Sequence, residues 1–363
     1  MAKKPSLTDE LLQVDEATKE LLDMDADARV RTLRKQVASL QRKLSAKDTG
    51  RDLLRDTFFE AYSDPLDIRV PTPPKDKRRK TVEIPVLHIT DVHFGKRTAD
   101  YNIAVAEERM RKLTNTAIEL VNIRRGFAKI DELRIYLGGD FGEGEGEIFP
   151  GQQHEIDQDI VGQVVKEGPR ILCEQFLAML GQFRTIKVLG VPGNHGKTGK
   201  QAAKRNNYDN WFYQGLRQTV EIALSDKDRR RITWDLPWDR QHDEWYAYDR
   251  LFDRWGCLLV HGDQVRGMLG FPWYGFGKKV AGWIDVVPHP WQYLFSGHFH
   301  THASFTINRR TVLAGGTPES SNAYAAESLA AGGDPVQRLA FFNEAHGLIV
   351  DAPIYLSERE PTR

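Results

Sequence analysis

From Val82 onward, short apolar segments alternate with longer stretches of helical composition. Each apolar segment has the length of a strand and is followed by a polar residue. The five clearest segments are VEIPVLHIT before Asp91, LRIYLGG before Asp140, IKVLGVPG before Asn194, CLLV before His261 and YLFSG before His298. Apolar runs bounded by turn-forming residues are typical of buried strands. The pattern therefore predicts strands whose ends carry polar side chains.

The stretches between these strands predict helices. They are TADYNIAVAEERMRKLTNTAIELVNIRR, HEIDQDIVGQVVKEGPRILCEQFLAMLGQF and NYDNWFYQGLRQTVEIALS. Because proline breaks helices, we expect the second helix to be interrupted at Pro169. Strands that alternate with helices predict an α/β domain in which polar residues at the strand ends form the site.

The N-terminal part has a different pattern. Residues 1–63 are rich in Leu and charged residues and have no proline between Pro5 and Pro65, which predicts a helical arm. Its apolar residues at Val30, Leu33, Val37, Leu40 and Leu44 have the spacing of a short coiled coil. A helix packed on its own domain and an arm that dimerises or binds a partner are both open. A proline-rich, basic segment, residues 64–80, predicts a solvated linker before a domain at 81–356.

Bulk composition narrows the class of protein. The chain has 363 residues, with 51 Lys+Arg and 51 Asp+Glu, so its formal net charge is zero and any basic surface must be local. Cys173 and Cys257 have neither disulfide-framework nor zinc-knuckle spacing. Since no apolar run approaches the length of a membrane span, we expect a soluble, cytoplasmic protein.

The polar residues at the strand ends have the chemistry of a metal centre. The motifs in chain order are TDVHFG with Asp91 and His93, GGDFGEGEGE with Asp140, VPGNHG with Asn194 and His195, VHGD with His261, and SGHFH with His298 and His300. Oxygen and imidazole donors without thiolate suit Mn, Fe, Ni or Zn. Because the donors exceed what one ion needs, they indicate two divalent ions that share a carboxylate.

In this order the motifs DxH, GD, GNH, HG and GHxH resemble the calcineurin-like metallophosphoesterases, over about Val82 to Ile349. With the helical N-terminus and the HGDQVRG and GHFH segments, the chain resembles most the members encoded by bacteriophages and described as repair-exonuclease-like. The resemblance implies an α/β fold of two facing β-sheets flanked by helices, a four-layer sandwich with the ions at the strand ends. It also implies phosphodiester hydrolysis by a hydroxide that bridges two ions, with Mn²⁺ favoured.

The resemblance further implies a role for each motif. A first ion would be held by Asp91, His93, Asp140 and His300. A second ion, bridged by Asp140, would be completed by Asn194, His261 and His298. His195 would not be a ligand but would face the scissile phosphate, where it stabilises charge and protonates the leaving oxygen.

Some positions depart from the family pattern. Gly196 follows GNH where much of the family has Asp or Glu, so a carboxylate beside the catalytic histidine is missing. Glu143, three residues after Asp140, is a candidate to orient His195 instead. His302 has no counterpart in GHxH, and we expect it to be a bystander.

Basic and aromatic residues near the motifs are candidates for substrate contact, since such residues bind nucleic-acid backbones and stack on bases. The basic candidates after GNH are Lys197, Lys200, Lys204 and Arg205. Tyr208 and Trp211 behind them fit the core face of the next helix. A second candidate surface comprises Phe271, Trp273, Tyr274, Lys278 and Lys279. His154 is expected to lie on the surface.

The sequence therefore predicts a dimetal phosphodiesterase that acts on nucleic acid, with DNA favoured. Two alternatives stay open. One is a phosphatase or phosphodiesterase of small nucleotides. The other is a non-catalytic scaffold whose working part is the N-terminal helix.

Overall fold

The computed structural model describes Lys35 and residues 81–144, 155–199, 206–240, 244–266, 271–319 and 333–358. The chain divides into two compact units, Met1–Glu60 and Ala61–Arg363. In the first unit the description is limited to Lys35, which is helical and exposed. The rest of the predicted arm and the linker lie outside the described residues, as do His154, Lys200, Lys204 and Arg205, so the domain boundaries stay predictions.

The second unit contains strands and helices that alternate along much of the chain. The strands are β1 (Thr81–Ile89), β2 (Ala128–Lys129), β3 (Glu132–Leu137), β4 (Thr185–Gly190), β5 (Ile232–Asp235), β6 (Tyr246–Leu251), β7 (Trp255–Val260), β8 (Tyr293–Ser296), β9 (Ala303–Ile307), β10 (Arg310–Ala314), β11 (Val336–Asn343) and β12 (Gly347–Tyr355). The α-helices are α1 (Ile103–Arg124), α2 (Glu167–Leu180), α3 (Tyr208–Ala223), α4 (Asp226–Arg229) and α5 (Trp273–Val286). The five strands and three helices predicted above are all present. None of the described helices is both long and apolar enough to span a bilayer.

The strands form two mixed sheets. One has the order β12-β11-β1-β3-β4-β5, with β2 beside β1, and its strands β1, β3, β4 and β5 are parallel. The other has the order β6-β7-β8-β10-β9, with β7, β8 and β10 parallel. Parallel neighbours bring their carboxyl ends to one edge of a sheet, where sites of α/β domains form.

The two sheets face each other across a shared core. Leu259 of β7 packs into this core with Val86 of the first sheet, whereas its neighbour Leu258 packs with Phe276 on α5. This alternation follows from the two-residue period of a strand. Helix α5 thus covers the outer face of the second sheet. The arrangement is the predicted sandwich of two sheets flanked by helices.

The second predicted helix is not interrupted at Pro169, contrary to the expectation. A π-helical turn, Gly162–Lys166, runs directly into α2, so Pro169 lies in the first turn of the α-helix. Proline is tolerated there because the π-helical turn before it already departs from the regular α-helical hydrogen-bond pattern, so no regular i→i−4 bond is lost at that point. The departure from regular α-helical hydrogen bonding thus lies in the π-helical turn before Pro169.

A buried ionic cluster joins the two sheets. Asp249 on β6 accepts hydrogen bonds from Arg134 Nε (2.7 Å) and the Tyr136 hydroxyl (3.0 Å) on β3, and from Lys187 Nζ (2.7 Å) on β4. Asp249 is 1% exposed, so its charge depends on these partners for stabilisation. The cluster adds a directional contact to an otherwise apolar interface.

Candidate metal centre

The loops that follow β1, β3, β4, β7 and β8 converge at one edge of the two sheets. Backbone hydrogen bonds join the first two loops, from Asp91 N to Gly139 O (2.9 Å) and from His93 N to Asp140 O (2.9 Å). The backbone N–H of His298, from the second sheet, donates to the Asp91 carboxylate at 3.0 Å. The predicted ligands of both sheets are thereby brought together.

Asp91, His93 and His300 contribute one group of candidate ligand atoms. His93 Nε2 lies 3.3 Å from His300 Nε2, which lies 3.4 Å from Asp91 Oδ1. Burial raises the pKa of Asp91, but a hydrogen bond and the charge of His300 outweigh this and lower the pKa to about 2. The Asp91 carboxylate is therefore ionised at neutral pH and available as an oxygen donor to a metal.

A second group is contributed by Asp140, His261 and His298. His261 Nε2 lies 2.9 Å from both Asp140 Oδ2 and Asn194 Oδ1. The opposite nitrogen, Nδ1, donates to the carbonyl of Gly138 at 2.8 Å, so Nε2 carries the lone pair of the neutral ring. His261 Nε2, Asp140 Oδ2 and Asn194 Oδ1 then face one another, and three electron-rich atoms in this position require a cation or a proton between them.

The pKa values of these histidines agree with a site that attracts positive charge. Burial lowers the pKa of His261, but Asp140 outweighs it and raises the pKa to about 10. Burial also lowers the pKa of His93, but Glu143 outweighs it and raises the pKa to about 9. His298 behaves differently, since burial and His261 lower its pKa to about 4 and keep its ring neutral. A bound metal would replace the protons at His93 and His261.

The residues fit a pair of divalent ions. Ligand atoms about 2.1 Å from one ion lie roughly 3.0–3.4 Å apart in octahedral or tetrahedral geometry. The separations of 2.9–3.4 Å within both groups lie inside that range or within about 0.1 Å of it. Among the described residues, moreover, no donor makes a hydrogen bond of good geometry to Oδ2 of buried Asp140. An oxygen that receives no such hydrogen bond keeps its lone pairs available to coordinate a metal.

The ligand loops hold a costly backbone conformation. Nine non-glycine residues in the described part of the chain have positive φ, and five of them are predicted ligands: Asp91 (55°), His93 (50°), Asp140 (55°), His298 (70°) and His300 (50°). Such a conformation costs about 1–3 kcal/mol per residue and persists where the surroundings enforce it, typically at functional sites. Its concentration in these loops supports them as a candidate site.

Two glycines allow the loops to approach each other. A Cβ on Gly193 would lie 2.0 Å from Asp140 Oδ1, and one on Gly297 would lie 2.3 Å from Asp91 Oδ2. Any side chain at either position would therefore displace a predicted ligand.

Glu143 lies beside His195, as the sequence suggested. Its Oε1 is 3.0 Å from Nδ1 of His195, and its Oε2 is 2.6 Å from Nδ1 of His93. Burial raises the pKa of Glu143, but His195 and His93 outweigh it and hold the pKa well below its usual range. An ionised Glu143 can therefore orient both rings. The backbone N–H of His195 also donates to Asp140 Oδ1 at 2.8 Å.

Three charged residues behind the site were missed by the sequence reasoning. Asp209, at the start of α3, accepts backbone hydrogen bonds from the loops that carry Asp140 and Asn194. Glu319 Oε2 lies 3.9 Å from His300 Nδ1. Lys96 Nζ lies 3.8 Å from Glu143 Oε1. Lys96 directly follows the TDVHFG motif, whereas no motif spacing connects Asp209 and Glu319 to the site, because tertiary packing brings them there.

Other candidates lie apart from the ligand groups. His302 belongs to neither group among the described residues; burial and then Arg338 lower its pKa to about 4. Lys197 pairs with Asp263, Nζ to Oδ2 at 3.2 Å. Trp211 was expected on the core face of α3. It is 41% exposed, so that expectation is wrong.

No family model and no curated protein matches the chain. Several solved structures are similar at low identity. Vps29 from Entamoeba histolytica, complexed with zinc, is 12% identical, with 75% of this chain and 99% of that chain covered and a TM-score of 0.33. A novel archaeal phosphodiesterase is 10% identical, with 75% and 99% covered and a TM-score of 0.35. A hypothetical protein from Pyrococcus horikoshii is 11% identical, with 75% and 87% covered and a TM-score of 0.37.

Proposed function

We propose that the protein is a metal-dependent phosphoesterase that hydrolyses phosphodiester bonds, with DNA as its substrate. The observation that carries the proposal is the pair of ligand groups around Asp91 and Asp140, with His195 beside them. Two divalent ions, Mn²⁺ by preference, would neutralise phosphate charge and lower the pKa of water. Asp91, His93 and His300 would hold one ion, and Asn194, His261 and His298 would hold the other. The carboxylate of Asp140 would contribute to both.

His195 supplies the proton chemistry of this proposal. Because Glu143 accepts from Nδ1, the opposite nitrogen, Nε2, is the atom that can donate to a phosphate oxygen or to the leaving oxygen. The side chain of His195 is 23% exposed, so substrate can reach it, whereas Glu143 is fully buried. Glu143 acts through the orientation of the ring.

A row of aromatic rings favours a substrate with bases. Trp273 packs on Phe271 with ring centroids 4.5 Å apart, Phe271 on Phe299 at 5.8 Å, and Phe299 on the predicted ligand His298 at 4.8 Å. Trp273 is 55% exposed and Tyr274 beside it is 85% exposed. Three ring contacts thus lead from an exposed indole to the metal centre. Stacking on such rings contributes about 1–3 kcal/mol per base.

A second exposed indole lies on the His195 side. Tyr208 N donates to Gly196 O at 2.7 Å, directly after His195, and the Tyr208 ring packs on Trp211 at 5.3 Å. Exposed aromatic rings near two sides of the centre suit a single strand whose bases stack while its backbone crosses the ions.

The proposal is tested by giving purified full-length protein Mn²⁺ with single-stranded DNA, double-stranded DNA, bis-(p-nitrophenyl) phosphate and p-nitrophenyl phosphate. We expect cleavage of single-stranded DNA and of the diester, and loss of both in Asp140→Asn. An Asp253→Asn variant, which changes an exposed turn carboxylate, serves as the control. Turnover of the monoester alone would replace the nuclease with a phosphatase, and no turnover with any metal would favour a scaffold.

The aromatic row is tested separately from the chemistry. Trp273→Ala should raise KM for single-stranded DNA about tenfold, the loss of one stacking contact, and leave turnover of bis-(p-nitrophenyl) phosphate unchanged. Trp238→Ala is the matched control, since Trp238 is 50% exposed and lies outside this row of rings. Equal KM values for the two variants would remove the stacking surface from the proposal.

A further inference from the structure

Asp209 holds the backbone of two ligand loops at once. Its Oδ2 accepts from the backbone N–H groups of Asp140 (2.9 Å) and Gly193 (2.7 Å), and its Oδ1 accepts from those of Phe141 (2.8 Å) and Gly142 (3.0 Å). Asp209 is fully buried. A carboxylate with four N–H donors makes charge-assisted hydrogen bonds, which are stronger than those of a neutral acceptor.

The four bonds fix the peptides that position two different kinds of ligand. Asp140 is the carboxylate shared by both ions in the proposed function. Gly193 precedes Asn194 and His195, and the N–H of His195 donates to Asp140 Oδ1. Asp209 therefore ties the shared carboxylate, the amide ligand and the proton donor to one buried anchor.

Asp209 is itself held by the residue that fills the space beside Gly196. Asn207 Oδ1 accepts from Asp209 N (2.8 Å), and Asn207 Nδ2 donates to Gly193 O (2.8 Å). A Cβ on Gly196 would lie 2.4 Å from that Asn207 Oδ1. The missing side chain at position 196 is thus what allows α3 to begin against the ligand loop.

We infer that Asp209 is a positioning residue of the metal centre, which sets the geometry of Asp140 and Asn194 without touching an ion. The inference rests on the proposed metal centre and adds a residue that no motif of the site contains. In Asp209→Asn, one oxygen is replaced by an NH₂ group that faces two backbone donors. We expect Mn²⁺ affinity to fall about 10- to 100-fold, the range typical when a partner behind a ligand is removed.

The test measures Mn²⁺ binding by titration calorimetry and the rise in Tm on addition of Mn²⁺. In Asp209→Asn both the affinity and the Mn²⁺-induced rise in Tm should fall. A purely structural role would lower the Tm of the metal-free and metal-loaded forms equally and leave the rise unchanged, and that result would overturn the inference. Asp235→Asn is the control, because Asp235 ends the neighbouring strand β5 and pairs with Arg240 at 3.6 Å, outside the ligand loops.

A second variant keeps the inference testable where Asp209→Asn does not fold. Gly196→Ala keeps the Asp209 carboxylate but displaces Asn207, which anchors it. We therefore expect this variant, like Asp209→Asn, to have a lower Mn²⁺ affinity than the wild type. Wild-type affinity in Gly196→Ala would count against the inference. Absence of Mn²⁺ binding in the wild-type protein would instead refute the proposed metal centre, so the two failures are distinguishable.

Discussion

Glu143 and His195 are joined by a hydrogen bond of 3.0 Å between Oε1 and Nδ1, and the other oxygen of Glu143 lies 2.6 Å from Nδ1 of His93. One buried carboxylate thereby orients a predicted metal ligand and the predicted proton donor. In the proposed function, metal binding and proton transfer would be coupled through Glu143, because a change in Glu143 alters both rings.

Glu143→Gln should lower kcat for bis-(p-nitrophenyl) phosphate about 10- to 100-fold. The amide keeps one acceptor oxygen but offers an NH₂ group to the second ring, so one histidine loses its orienting bond. Steady-state kinetics with Mn²⁺ measure the effect. Glu155→Gln is the control, since Glu155 also pairs with Lys96, Nζ to Oε2 at 3.4 Å, but is half exposed. Equal rates for the two variants would show that Glu143 does not position His195.

Metal binding should stabilise the folded protein. At a concentration about 100 times its Kd, an ion that binds the folded state contributes ~2.7 kcal/mol. In a domain of this size that raises Tm by roughly 5 °C. Thermal unfolding with EDTA and with Mn²⁺ measures the shift, which should be absent in Asp140→Asn. A shift of the same size in that variant would place the stabilising ion elsewhere.

The predicted ligands could be located from the sequence because each lies within four residues of the carboxyl end of a strand. The apolar runs predict those strands, and parallel pairing brings their ends together. Asp209 could not be located in this way. It lies 69 residues from Asp140 and reaches that residue through the packing of α3, which no local spacing encodes.

The loop after β3 likewise makes contacts that no local spacing in the sequence encodes. Glu143 was a candidate from its offset to Asp140, but its bond to His93 depends on how the β1 loop folds against it. Gly196 was interpreted as the loss of a carboxylate. The structure gives it a second consequence, since the space beside Gly196 is filled by Asn207, which anchors Asp209.

His300 and His302 should differ in their effect on metal content. The side chains of both could share one face of an extended strand, but His302 lies apart from the ligand groups in the described part of the chain. We expect His302→Ala to keep the metal content of the wild-type protein and His300→Ala to lose about one ion per chain. Metal analysis after gel filtration with Mn²⁺ measures both. Loss of metal in His302→Ala would make His302 a ligand.

Asp249 should make stability depend on pH in the acid range. Burial raises its pKa, but Arg134 and Lys187 outweigh this and hold the pKa below the ordinary value of 3.8. A carboxyl with a lower pKa in the folded state stabilises that state above the unfolded pKa, and the contribution is lost as pH falls through the folded pKa.

At pH 7, Asp249→Asn should lower the free energy of unfolding by about 3 kcal/mol, because Arg134 and Lys187 lose the buried carboxylate that they share. The difference from wild type should begin to shrink near pH 3.8 and disappear as the pH falls through the lower pKa of the folded state, where the wild-type carboxyl also becomes neutral. Urea unfolding at pH 7 and at several values below 4 measures it. Asp131→Asn is the control: its partner Lys129, 3.1 Å away, is 43% exposed, so the change should cost at most about 1 kcal/mol. A constant difference across this pH range would mean that Asp249 acts by packing and not by charge.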